Sequence, residues 1–266
     1  MRITDFSYGE NNKKLSDFGF IVCRFDSGGL ETVSNGAVVD FNTVAVQNGA
    51  KYELTSSVYG DCLEVTIQIC RNPCSNGNIE IDQTTFRELT RWLCRRKFLR
   101  FKPVCDEYLD LYHEAMINVG RVEIDGKLVG LELEIKTNRP FALKEPRIIT
   151  ITNTEQDGKH SINDTSHEEG YIYPKTQITI NQSGNLNIHN AIENRNTYIK
   201  NCVAGEIIVM DYPVISSSVS SHNIQNDFNW NFFRVANTFE QSRNDLTISL
   251  PCSIKVEYSP IVKVGL

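Results

Sequence analysis

The sequence predicts a mainly β protein built as two β-sandwich-like domains, the first carrying one packed helix. Three observations lead there. Apolar and polar residues alternate with a period of two in one stretch after another, a single stretch carries a helical period, and a proline-bearing polar connector falls near the middle of the chain. With 266 residues there is room for two domains of ordinary size.

The first clear strand is Cys62–Cys70, where Leu63, Val65, Ile67 and Ile69 alternate with Glu64, Thr66 and Gln68, giving one buried and one wet face. A helix follows. Thr85-Phe86-Arg87-Glu88 has the capping-box pattern, in which the Thr hydroxyl and the Glu carboxylate satisfy exposed backbone donors reciprocally. Phe86, Leu89 and Leu93 recur on one face and Arg95–Lys97 supply cations for the last turn, so the helix is expected over about 85–97. A helix this short needs a sheet to lie on. Tyr108–Met116 fits a helix or a strand equally well. Arg121–Lys136 reads as a hairpin: Val122 and Ile124 enter the turn pair Asp125-Gly126, and Val129, Leu131, Leu133 and Ile135 return against Gly130, Glu132, Glu134 and Lys136.

Pro140, which cannot donate to a ladder, and Pro146 mark a boundary that divides the chain into 1–137 and 138–266. In the second part strands are expected at Arg147–Thr152, Gln177–Ile180, Leu186–His189, Glu206–Met210, Leu246–Leu250 and Ser253–Tyr258, with Asn181-Gln182-Ser183-Gly184 as a turn. Asn153–Gly170 and Ser216–Asp227 are polar enough to be exposed loops.

Composition narrows the function. The net charge is −6 and both halves are mildly acidic, against the basic footprint of a general nucleic-acid binder. The run Arg95, Arg96, Lys97, Arg100, Lys102 reads as a helix end favoured by the macrodipole, or else as a patch for an anion or a partner. The apolar runs fall far short of the roughly 20 residues of a membrane span, and Met1–Glu10 lacks a secretory pattern, so a soluble chain made in a cytosol is expected. Of the eight cysteines no two are spaced Cys-x-x-Cys, and Cys70 and Cys74 lack a second close pair of Cys or His. Reduced, buried thiols are expected, with no metal and no cofactor.

Marks of catalysis are missing. There is no nucleophile elbow, phosphate-cradling lysine loop, zinc-binding helix motif or dinucleotide fingerprint. Ser27-Gly28-Gly29 precedes no helical pattern. His113, His160, His167, His189 and His222 are scattered, and the set Asp157, His160, Asp164, His167, Glu168, Glu169 reads as a solvated loop rather than a cation site. With 33 acidic residues, a suggestive carboxylate pair carries no information. Trp92 and Trp230 read as core aromatics, with sugar stacking as the alternative for Trp230. No catalytic residue is expected.

The order of these features carries a resemblance. Ile3–Tyr8 followed by Leu15-Ser16-Asp17-Phe18-Gly19-Phe20-Ile21-Val22 resembles the N-terminus of the distal tail proteins of long-tailed, non-contractile bacteriophages. The likeness continues through Ile79–Lys97 and through the hairpin ending Leu131-Glu132-Leu133-Glu134-Ile135 with Arg139-Pro140-Phe141-Ala142 behind it. Ser183-Gly184-Asn185-Leu186, Ala204–Asp211, Asn226-Asp227-Phe228, Asn244–Ile248 and Ile254–Pro260 resemble segments of that family's galectin-like second domain. The departures are Phe233-Arg234, where the family often has a proline, Ser259 after the closing tyrosine, and a loose match between Asp26 and Tyr52.

The resemblance implies a homo-hexameric ring at the virion's tail tip, made in the bacterial host cytoplasm. Asp17, Phe18, Gly19 and Phe20 would lie at the ring or tail-tube interface. The implied partners are the tail tube protein, the tape-measure protein and a tail-associated hub or receptor-binding protein, with DNA passing through the lumen unbound and no membrane contact. Extended segments such as Ile3–Ile21 would suit pairing with a neighbour's sheet edge. Two other classes stay in view. A carbohydrate-binding module for host-surface recognition would use His189, Asn190, Arg195 and Trp230. A tail-associated hydrolase would turn over cell-wall material.

Overall fold

A computed structural model describes residues 3–25, 39–43, 55–60, 62–76, 79–104, 109–238 and 240–264. Ser27-Gly28-Gly29, Cys105 and Tyr108 lie outside the described residues. The chain is mainly β and divides into two compact units, Met1–Leu143 with Lys263–Leu266, and Lys144–Val262.

The N-terminal unit contains β1 (Asp5–Tyr8), β2 (Phe20–Cys23), β3 (Val39–Thr43), β4 (Thr55–Tyr59), β5 (Glu64–Arg71), the single turn α1 (Pro73–Asn76), α2 (Gln83–Leu93), β6 (Leu99–Val104), β7 (Leu111–Ile124) and β8 (Lys127–Thr137), and β9 (Ala142–Lys144) starts in it and ends on the first residue of the next unit. Six strands run antiparallel in the order β1-β6-β7-β8-β5-β2, with β9 also paired to β7, while β3 and β4 pair with each other. The first strands of the chain therefore end this path on both sides. At the β7–β8 turn Asp125 (φ 49) and Gly126 (φ 75) both take the left-handed backbone that a two-residue hairpin loop demands. Period two then sorts β8: Leu131, Leu133 and Ile135 are sealed on one face, leaving Glu134 and Lys136 wet. Helix α2 closes the core with Leu89 and Leu93 against Phe6, Phe20, Phe101 and Leu133.

The C-terminal unit contains β10 (Arg147–Asn153), β11 (Gly158–Asn163), β12 (Gly170–Ile172), β13 (Lys175–Ile180), β14 (Gly184–Asn190), β15 (Arg195–Cys202), β16 (Ile207–Asp211), β17 (Val214–Ser217), α3 (Ile224–Asp227), β18 (Val235–Asn237), β19 (Arg243–Ile248) and β20 (Cys252–Tyr258). A five-stranded sheet, β10-β20-β13-β16-β17, and a four-stranded sheet, β11-β19-β14-β15, share one apolar core. Ile178, Ile208 and Ile254 enter it from the first sheet; Leu186, Ile199 and Ile248 enter from the second. That is a β-sandwich.

Several sequence expectations change. The helix starts at Gln83, not Thr85: Asp82 is the N-cap and accepts from the backbone N–H groups of Thr84 and Thr85, while the Thr85 hydroxyl donates to Asp82 at 2.7 Å. A carboxylate three residues earlier outcompetes the Thr hydroxyl as a cap. The helix ends at Leu93, so Arg95–Lys97 lie beyond its last turn, and Arg100 and Lys102 sit on β6. Residues 111–116 are strand. Asn153–Gly170 is not one loop, because β11 runs through it and Asn153 and Asp164 are buried. The Asn153 side chain donates to the carbonyls of Glu155, Ile248 and Leu250. Ser216–Asp227 likewise folds back as the end of β17 and α3, with the His222 side chain sealed. The strand expected over Leu246–Leu250 runs instead over Arg243–Ile248. Among the thiols Cys202 and Cys252 are buried, but Cys74 and Cys94 are exposed. Ile3–Ile21 is not a free arm: Asp5–Tyr8 pairs with β6, and Phe20 and Ile21 pair with β5.

Candidate functional site

In the N-terminal unit the candidate interface residues form one tight turn. Leu15–Phe18 is a 3-10 turn, and Gly19 (φ 75) ends it in left-handed backbone that a side chain resists. The Asp17 carboxylate accepts the Lys14 N–H at 2.8 Å, and Asp5 accepts from Phe6 N–H and Ser16 N–H. Two carboxylates thus fix the turn against β1. The four residues then part company. Asp17 is exposed, Phe18 and Gly19 are half-buried, and Phe20, only 1% exposed, belongs to the core and holds β2 in place.

Phe18 forms part of a groove of about 640 Å³ lined also by Tyr8, Glu10, Lys13, Glu88, Arg91, Trp92, Arg95 and Lys97. Its aromatic floor is the stacked pair Phe18 and Trp92, 4.7 Å between ring centroids. Lys13 Nζ lies 3.8 Å over the Phe18 ring, and Lys97 meets Glu10 at 3.3 Å. Aromatic floor and mixed-charge rim suit contact with another protein surface. Trp92, which completes the floor from helix α2, carries no sequence signal linking it to Phe18.

In the C-terminal unit the four residues weighed for sugar contact do not converge. His189 and Asn190 are neighbours on β14 and so face opposite ways. Asn190 is buried, donating to Asn244 Oδ1 at 2.8 Å, and pairs in register with Arg195. His189 instead meets Asn196 Oδ1 at 3.2 Å. Trp230 is not core: the residue is 56% exposed and its backbone is left-handed, φ 59.

Sequence reasoning missed the ridge to which Trp230 belongs. Tyr171 meets Tyr173, Tyr173 stacks on Tyr212 at 4.2 Å, Tyr212 meets Phe232, and Phe232 meets Trp230. Phe228 and Phe232 are buried beneath it, while Tyr171 and Tyr212 are 54% and 55% exposed. Arg234 covers one face of Tyr171 at 3.8 Å and is itself held by both oxygens of Glu193. Two Asn residues flank Trp230, and Asn229 pins the segment to β15 by accepting from Tyr198 N–H and donating to Asn196 C=O.

Ser217, His222 and two carboxylates also gather here, though not as a nucleophile with its base. Ser217 Oγ donates to Glu206 Oε1, the same oxygen that His222 Nδ1 meets at 2.5 Å, so the carboxylate stands between hydroxyl and imidazole. Side chains of Glu206 and His222 are 0% and 2% exposed. Burial pushes the Glu206 carboxyl up, but the Ser217 hydroxyl, the Val203 N–H and His222 outweigh it and hold the group below its ordinary value. The cluster fastens residues 217–227 to β16. Among the described residues no three His, Cys, Asp or Glu side chains are placed to hold a metal ion.

With the geometry in view, likeness to known proteins becomes informative. Residues 1–139 match a family described as a phage tail protein N-terminal domain, and residues 141–258 match a phage tail C-terminal domain. No curated protein matches the sequence. Among solved structures, the chain is similar to the crystal structure of SPP1 Dit (gp 19.1), described as a paradigm of the hub adsorption apparatus in Gram-positive infecting phages. The TM-score is 0.64 at 10% identity, over 97% of this chain and 99% of that one.

Proposed function

The chain belongs to the phage tail protein family just described, and from that premise we propose that it forms a hexameric ring at the tip of a long, non-contractile tail. In this reading the N-terminal units make the ring and the C-terminal sandwiches project outward. The ring joins the tail tube to the baseplate or receptor-binding apparatus and leaves a lumen for DNA. Its partners are further copies of itself, the tube protein, the tape-measure protein and a tail-associated hub or receptor-binding protein. The work is done by mating surfaces, without bond-making or bond-breaking.

The observation that carries this reading is the end-to-end likeness to a hub protein of an adsorption apparatus, both units included. The local physics agrees with it. A closed ring needs two different, complementary patches on each copy. The terminal strand β2 and the aromatic-floored groove of Phe18 and Trp92 are separate features of the N-terminal unit that can serve this way. An acidic chain suits a bore through which DNA slides, since phosphate binding needs an excess of Lys and Arg. Imaging purified protein by negative stain, and labelling intact tails with an antibody to this chain, tests the proposal. Six-fold rings and label confined to the tail tip are expected. Label spread along the tube, or rings of another symmetry, would overturn it.

A further inference from the structure

We propose that the aromatic ridge of the C-terminal unit is a saccharide-stacking platform, with Tyr171, Tyr212 and Trp230 presenting ring faces to the pyranose rings of a neutral or weakly charged glycan.

The rings are presented rather than merely exposed. Tyr212 is backed by Tyr173 at an interplanar angle of 7°, and Tyr171 is backed by the Arg234 guanidinium, yet each remains more than half exposed. A ring covered on one side and open on the other offers a flat apolar surface whose position is already fixed, so little ordering entropy is lost on contact. Trp230 adds strain. A bulky residue at φ 59 is an outlier, and the hydrogen bonds of Asn229 to β15 hold it there. Backbone strain at a residue that keeps a large apolar side chain in water marks a candidate site of contact.

The surroundings select the ligand. The hydroxyls of Tyr171 and Tyr212 and the Glu193–Arg234 pair belong to the platform, so apolar faces come with hydrogen-bonding groups. A pyranose has that pattern, an apolar C–H face ringed by hydroxyls. A nucleobase would share the stacking but bring phosphates to a chain of net charge −6.

The test uses the full chain with Trp92→Phe, which leaves Trp230 as the only indole. Its fluorescence is titrated with soluble oligosaccharides of glucose, galactose, N-acetylglucosamine and rhamnose, and with a single-stranded oligonucleotide. A saturable change with at least one sugar and none with the oligonucleotide is expected, and adding Tyr212→Ala should weaken it roughly tenfold or more. Isothermal titration of Trp230→Ala checks the indole itself. No response to any sugar, or a response indifferent to Tyr212→Ala, overturns the proposal. So does protection of Tyr212 and Trp230 from hydroxyl-radical labelling in intact, sugar-free tails, since a tail protein would then cover the ridge. None of these outcomes touches the imaging of rings, so the two proposals fail separately.

Discussion

The indole N–H of Trp92 donates to the carbonyl oxygen of Tyr8 at 3.0 Å, tying helix α2 to the terminal strand β1. The same ring stacks on Phe18 and lies parallel to Phe6 at 5.8 Å. Trp92→Phe keeps the stacking and loses the bond, and should cost about 1 kcal/mol. Trp92→Ala also empties the floor of the groove and should cost about 3 kcal/mol. Urea unfolding of the N-terminal unit, followed separately from the sandwich because two units need not melt together, gives both values.

The cap of α2 predicts an acid response. Two backbone N–H groups, the Thr85 hydroxyl and Arg71 converge on Asp82, and the Thr85 bonds in particular lower its pKa from 3.8 to about 2. A depressed carboxyl stabilises the fold above its unfolded value and loses that contribution as pH falls through its folded one. Helix α2 should therefore fray between about pH 4 and pH 2, and Asp82→Asn should flatten that transition. Circular dichroism near 222 nm, the usual helix band, follows it.

How much of this was legible depended on whether a residue's environment is set locally. The hairpin over 121–136 could be read because a turn pair and strict alternation each act within a few residues. The helix start was misread because Asp82 and Thr85 are both good caps, and Glu88 three residues after Thr85 imitates a capping box. Buried amides defeated the reading more deeply. Asn153 and Asn244 count as loop-formers by type, yet each is sealed and bonded to three carbonyls. The aromatic ridge was hidden for the opposite reason: sequence registers an apolar ring at 230 but not the backbone that turns it outward. Asn on both sides of it was the available clue, since Asn favours turns and left-handed backbone.

Asn153 makes Gly158 irreplaceable. A Cβ at residue 158 would fall on Asn153 Oδ1, whose carboxamide holds the carbonyls of Glu155, Ile248 and Leu250. Gly158→Ala must displace the amide and strand buried acceptors, at a cost of roughly 2–3 kcal/mol. Asn153→Ala gives room but strands the same acceptors. The double variant should be less destabilised than the sum of the two, which a thermodynamic cycle on the sandwich transition measures.

Thiol reactivity should sort by burial. Burial pushes Cys202 up to about 11 and Cys252 up to about 12, so neither offers appreciable thiolate near neutral pH. Cys23 is raised to about 12 by burial and by its hydrogen bond with Cys70. Among the described thiols, exposed Cys74 should be alkylated first at pH 8, with Cys202 and Cys252 labelled only on unfolding. Mass spectrometry of iodoacetamide-treated protein reads the order.

Glu206 is where charge holds the sandwich closed. Its carboxylate accepts from Val203 N–H at 2.9 Å and from Ser217 Oγ, and it meets His222, whose Nε2 lies 3.3 Å from Asp227. Removing one member of such a buried set leaves the others unpaired, so Glu206→Ala should cost roughly 3 kcal/mol or more. Glu206→Gln keeps the shape and an acceptor but not the charge, and should fall in between. The acid response has the same sign as that of Asp82: stability is full above the unfolded carboxyl value of 4.5 and declines as pH drops through the lower folded value. The sandwich of Glu206→Gln should therefore lose less stability than the parent between pH 5 and pH 3. Equal acid sensitivity of the two proteins in denaturant melts would mean that this carboxylate does not hold the loop down.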